Sequence, residues 1–266
     1  MPALPRLAYL TALYPAASHT FILREVSALR GLGFEVETCS MRRPAPAHLI
    51  GPEEEAALAS TFYIIASCRN PLVMLRALWD GLKSPRRLLA TLALAWRTAP
   101  PGAEGLMKQG FYLAEALVLA RHLRARGVDH LHNHFAEAGA NVAMLTSALS
   151  GIPFSYTLHG PSDLYEPHKW QLREKMARAA FVACISHFAR SQAMYFSDPV
   201  HWHKLRIVHC GVIPERYESP APVPGNGMRL IFVGRLVPVK GLRAVSYTHL
   251  RAHETVLDLV CRLLLE

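Results

Sequence analysis

Short apolar runs alternate with amphipathic stretches along most of the chain. RLAYLTAL (6–13) is apolar and stops at Tyr14-Pro15, which is the length and ending of a buried strand. TFILREVSALRGLG then sets Phe21, Val26 and Leu29 on one helical side. Ser18 and Thr20 offer N-cap hydroxyls before it, and Gly31 and Gly33 are stop signals after it. FEVETCSM (34–41) returns as a strand. Further along, VDHLHNHF, PFSYTLHG and FVACIS read as strands, separated by the helix-like AGANVAMLTSALSG and KWQLREKMARA. HFARSQAMYF and KLRIVHCGV close the series as helix and strand. This alternation predicts an α/β fold built on a mainly parallel sheet.

Residues 42–127 break the pattern. The segment 70–126 is mostly helix-like, interrupted by Ser84-Pro85 and by Pro100-Pro101-Gly102. Within 70–98, Leu72, Leu75, Leu78, Trp79, Leu82 and Leu88 mix with Arg69, Arg76, Lys83, Arg86, Arg87 and Arg97. Two readings fit: an interfacial helix on anionic lipid, or an amphipathic pair packed on the sheet. Residues 214–227 are rich in proline and glycine and read as an interdomain linker. The expected organisation is a first domain over 1–213, that linker, and the start of a second domain over 228–244, opening with the strand MRLIFVG. VSYTHLRAHETVLDLVCRLLLE (245–266) resembles a translated sequencing adapter and is expected not to be native. The competing reading is a terminal helix, because Leu257, Val260 and Leu264 recur at helical spacing.

With 51% apolar and 18% charged residues among 266, the chain has the composition of a folded protein with a sizeable core. Its five cysteines are scattered without C-x-x-C spacing, which fits a reducing compartment rather than a disulfide framework or thiolate zinc site. The first residues do not read as a signal peptide, and no apolar run approaches the roughly 18–20 residues of a bilayer span. A cytoplasmic protein is expected. The net charge of +9 suits anionic lipid or phosphorylated small molecules. No nucleic-acid module accompanies it, so nucleic acid is not an expected partner.

Candidate chemistry concentrates where strand-like runs end. Tyr14-Pro-Ala-Ala-Ser18-His19-Thr20-Phe21 passes from a strand to a helix, where free N–H groups favour anions, although a plain N-cap turn explains it equally. His130-Leu-His132-Asn-His134 puts three histidines on one face of a strand, so a metal-dependent hydrolase is an alternative. Against it, no carboxylate stands at a supporting spacing nearby. His159, before Gly-Pro-Ser-Asp163, ends another strand and could bond a substrate hydroxyl or serve as a core histidine. Val233-Gly234-Arg235-Leu-Val-Pro-Val-Lys240-Gly241 pairs a strand-ending glycine with two cations, an arrangement suited to a diphosphate or to a solvated loop.

YPAASHTFILREVSALRGLGFEV, HNHFA, SYTLHGPSDLY, KLRIVHCGV and LIFVGRLVPVKGL, in that order, resemble the retaining glycosyltransferases of family 4, especially those of polysaccharide assembly. The resemblance spans essentially all of 6–244. It implies a GT-B fold, with two doubly wound Rossmann-like domains and no required metal or cofactor. It implies a nucleotide-sugar donor and a saccharide or lipid-linked saccharide acceptor; peripheral contact with an anionic membrane is the expectation raised by residues 70–98. Gly234, Arg235 and Lys240 would hold the donor diphosphate, and His159 would lie beside the reacting sugar. Ser18, His19, Thr20, Phe21, His134 and Asp163 would form the cleft on the acceptor side. Two departures stand out. The Glu-x(7)-Glu motif does not follow Lys240, so this chain by itself is expected not to turn over. Ala16-Ala17-Ser18-His19 also replaces the usual glycine-rich first loop. The alternatives within this frame are a GT-B sugar-nucleotide epimerase and a lipid- or sugar-binding module.

Overall fold

Seven parallel strands form one sheet in the order β3-β2-β1-β4-β5-β6-β7. They are β1 (Leu7–Leu13), β2 (Val36–Arg42), β3 (Thr61–Tyr63), β4 (His130–His134), β5 (Phe154–Leu158), β6 (Val182–Cys184) and β7 (Leu205–Ile207). The computed structural model describes residues 4–49, 51–212, 214, 232 and 238–242. Two compact units are distinguished, Met1–Val212 and Ile213–Glu266. The sheet belongs to the first. Leu10 is paired with Cys39 on one side and Asn133 on the other, which makes β1 an interior strand.

The helices are α1 (Thr20–Gly31), α2 (Pro52–Ser60), α3 (Ile64–Cys68), α4 (Pro71–Leu82) and α5 (Pro85–Thr98). α6 (Ala103–Ala125), α7 (Ala138–Ser150), α8 (Pro161–Leu164), α9 (Leu172–Arg178) and α10 (His187–Tyr195) follow. Alternation along β1 sends Ala8 and Leu10 into the larger core, with Leu119, Leu123 and Leu145. Tyr9 faces the other way, against Ile22 and Val26 of α1. This two-sided burial makes β1 read as a continuous apolar run. The arrangement is a doubly wound α/β fold.

The local rules hold in part. α1 ends at Gly31, and Gly33, at φ +90°, turns the chain toward β2. The N-cap expectation for Ser18 and Thr20 is not met. Ala17–His19 coils into a 3₁₀ turn, His19 precedes α1, and no side chain caps either element. Residues 42–127 contain α2 and the short β3, which extends the sheet beyond β2. Three residues carry too little periodicity to announce a strand. No helix among the described residues is long and apolar enough to cross a membrane.

In the second unit, Pro238–Lys240 forms a 3₁₀ turn, closed by Gly241 N–H donating to the Pro238 carbonyl at 3.0 Å. Gly234, Arg235, the expected linker apart from Pro214, the strand MRLIFVG apart from Phe232, and residues 245–266 lie outside the described residues.

Candidate active site

After β1 the chain winds to one side of the sheet through α1 and β2. After β4 it winds to the other through α7 and β5. The loops leaving β1 and β4 therefore diverge and open a crevice at the strands' carboxyl ends, the usual ligand position in such sheets. His19 comes from the first loop and Phe21 from the first turn of α1, His134 and Phe135 from the end of β4, and His159 from the end of β5.

A pair of histidines forms the centre. His134 Nδ1 and His159 Nε2 share a hydrogen bond of 2.8 Å, with the rings stacked at 5.1 Å. Burial drives both toward the neutral form. His159 is lowered to about 4, with His19 adding to the effect, and His134 is held well below the usual range by burial and by its histidine neighbours. Two neutral rings can share one proton, so one donates and the other accepts. The buried Nε2 of His134 has no hydrogen-bond partner. Glu25 Oε2 stands 3.8 Å from it, and Tyr9 donates its hydroxyl to Glu25 Oε1 at 2.7 Å. With the imidazole neutral, this contact is a carboxyl group beside a ring rather than an ion pair.

Aromatic rings enclose the pair. Phe21 and Phe135 lie 4.7 and 4.6 Å from the His159 ring, centroid to centroid, and His19 lies 5.1 Å from Phe135. Phe135 has φ +72°, a conformation that a bulky side chain rarely adopts and that clusters at functional sites. Its N–H donates to the Thr157 carbonyl at 3.0 Å, which ties the strained residue to β5.

Beneath the crevice a buried carboxylate and a buried ammonium hold the loops together. Asp163 is fully buried and accepts the N–H groups of Ala136 and His159, each at 2.8 Å. Lys175, from α9, is fully buried and donates to the carbonyls of Ala136 and Glu137. Burial raises Asp163 to about 6 and lowers Lys175 to about 7, the latter despite Asp163 and Glu137, which favour its charge. Together they fix the β4 and β5 loops, and hence the backbone of His159.

The three strand histidines do share a face, but they differ in use. His132 engages Ser155 Oγ at 2.7 Å and Thr157 Oγ1 at 2.9 Å through its two ring nitrogens, and His130 also reaches Ser155 Oγ at 2.7 Å. The expectation that no carboxylate supports them is corrected. Glu25 arrives from α1, and its carboxylate lies with ring nitrogens of His132 and His134 inside 4.8 Å, close enough to hold a metal ion. A metal there would have to displace a hydroxyl from His132.

The structure thus brings His19, Phe21, His134, His159 and Asp163 together. Ser18 is exposed and Thr20 half-buried on the turn that carries His19 and Phe21. Lys240 is exposed in the second unit. Tyr9, Glu25, Phe135 and Lys175 were not legible as site residues. Glu25 and Lys175 occupy helix positions that read as ordinary solvated charge; Glu25 stays exposed at the edge of the site, whereas the tertiary fold buries Lys175 completely. A family model described as Glycosyltransferase Family 4 matches residues 18–216, a span that includes the whole cluster except Tyr9. No curated protein matches the chain.

Proposed function

The chain belongs to glycosyltransferase family 4, and from that membership we propose that it moves a hexose from a nucleotide sugar to a saccharide acceptor. The acceptor is carried on a lipid, the anomeric configuration is retained, and the product is a polysaccharide precursor. The observation that carries this reading is the neutral His134–His159 pair set between Phe21 and Phe135 at the switch point. A pyranose has an apolar face that suits an aromatic wall and hydroxyls that suit a neutral imidazole able to donate or accept. A protonated imidazole would instead bring charge into a dry site, at a desolvation cost.

The leaving nucleoside diphosphate needs its developing charge neutralised. Arg235 and Lys240 are assigned that task, with Gly234 admitting the phosphate close to the backbone. Two fixed cations make a metal cofactor unnecessary in this scheme. Residues 245–266 are proposed to be adapter-derived, so the activity belongs to a protein that continues naturally past Ala244.

The test is transfer of label from a panel of nucleotide sugars into a membrane acceptor fraction, using that continued protein. A glycosylated acceptor is expected, and His159→Ala should lower its formation at least about 100-fold, the scale of losing a positioned catalytic group. Formation of an epimeric sugar nucleotide with no transfer would favour the epimerase reading instead.

A further inference from the structure

α4 and α5 each turn a row of large apolar side chains outward, although both also pack on the core. α4 starts at Asn70, whose side-chain oxygen accepts the N–H groups of Leu72 and Val73, with Pro71 in the first turn. Its buried positions are Ala77 and Gly81. At Gly81 a Cβ would meet the end of the Leu117 side chain of α6 at 3.0 Å, a close contact between the two helices. The outward stripe is Leu72, Leu75, Trp79 and Leu82, spaced three and four apart and 58–64% exposed. α5 presents a second outward row. Thr91, Leu94, Ala95 and Thr98 are buried, whereas Leu89, Leu92 and Trp96 are 65, 42 and 73% exposed. Leu88 packs inward against the core.

Cations flank these stripes. Arg69, Arg76 and Arg86 are exposed and have no ion-pair partner among the described residues. The acidic residue of α4, Asp80, is already engaged by Lys83 and Arg121. We propose that the outward faces of α4 and α5 form a docking surface for an anionic lipid bilayer. Leucines enter the acyl boundary, tryptophans sit at the headgroup level, and the arginines meet lipid phosphates. A second copy of the chain fits this face poorly. Two-fold pairing would bring Arg76 and Arg86 near their own counterparts with no free carboxylate on the face to balance them. The inference stands apart from the transfer chemistry, because it needs neither donor nor acceptor.

The test is co-sedimentation of the 266-residue chain with phosphatidylcholine vesicles, with and without phosphatidylglycerol, in the absence of any sugar nucleotide. Binding should require the anionic lipid and weaken with salt. Arg76→Gln and Arg86→Gln should each weaken it about fivefold, the effect of one basic residue at a charged surface. Brominated lipid should quench tryptophan emission of the parent, and Trp79→Phe/Trp96→Phe should abolish most of that quenching with unchanged circular dichroism. Equal binding to neutral and anionic vesicles would overturn the proposal. So would failure to bind either, or a dimer that Trp79→Ser/Trp96→Ser converts to monomer while vesicles are ignored.

Discussion

At the residue scale, the site depends on buried groups that hold its loops in place. Asp163 satisfies two backbone N–H groups from two different loops, and Lys175 satisfies two carbonyls of one of them. Removing one buried charge leaves its hydrogen-bond partners stranded and the opposite charge uncompensated. Asp163→Ala should therefore cost about 3–5 kcal/mol of unfolding free energy, measured by urea denaturation. A loss below about 1 kcal/mol would show that water replaces the carboxylate. The histidines give a pH signature. His132 is lowered to about 3 and His159 to about 4 by burial, whereas an unfolded histidine titrates near its ordinary value. Between about pH 6.5 and 4 the unfolded chain takes up protons that the folded chain refuses, so stability falls as pH falls through that window. Asp163 and Glu115, raised to about 6 and about 7, act in the opposite direction, so parent and variant must be compared. His132→Gln should lose less stability than the parent between pH 7 and 4.5, by roughly 1–3 kcal/mol. Parallel pH profiles would contradict burial of the neutral ring.

At the element scale, α6 contains two glycines with opposite roles. Gly110 has open space where a Cβ would stand, with nothing within 4 Å, whereas at Gly105 a Cβ would stand 2.1 Å from the Pro100 carbonyl oxygen. Gly110→Ala should stabilise the fold by about 0.5–1 kcal/mol through helix propensity. Gly105→Ala should destabilise it by about 1–3 kcal/mol, because backbone must move. Thermal unfolding of the two variants checks the register of α6, and equal shifts would contradict it. Elements with strong patterns were legible in sequence: β1 carries an apolar run, β5 is short and largely apolar or aromatic, β4 alternates three histidines, and α7 is apolar on both sides. β3 was not, because three residues flanked by helices show no period. The capping role expected of Ser18 and Thr20 failed for a related reason, since hydroxyls at a strand end suit several turns and here the chain took a 3₁₀ turn first. α4 and α5 were legible as helices, but which face packs inward was not, because both faces carry leucines and the choice is made by tertiary packing.

At the scale of the whole molecule, the doubly wound order places the β1 and β4 loops where a ligand crevice opens, and the histidines at strand ends followed from that topology. Much of the candidate site was therefore readable: His134 and His159 stand at strand ends, and Phe21 at a helix start. Glu25, Tyr9 and Lys175 were hidden because they reach the site from elements whose sequence shows only amphipathic character. The account's central claim is that the aromatic-walled histidine pair serves sugar transfer. Its most direct measurement is label transfer from nucleotide sugars to a membrane acceptor by the protein with its proposed natural continuation, comparing His159→Ala with the surface variant Ser191→Ala. The account predicts transfer that survives Ser191→Ala and falls at least about 100-fold in folded His159→Ala. Undiminished transfer by His159→Ala would contradict it.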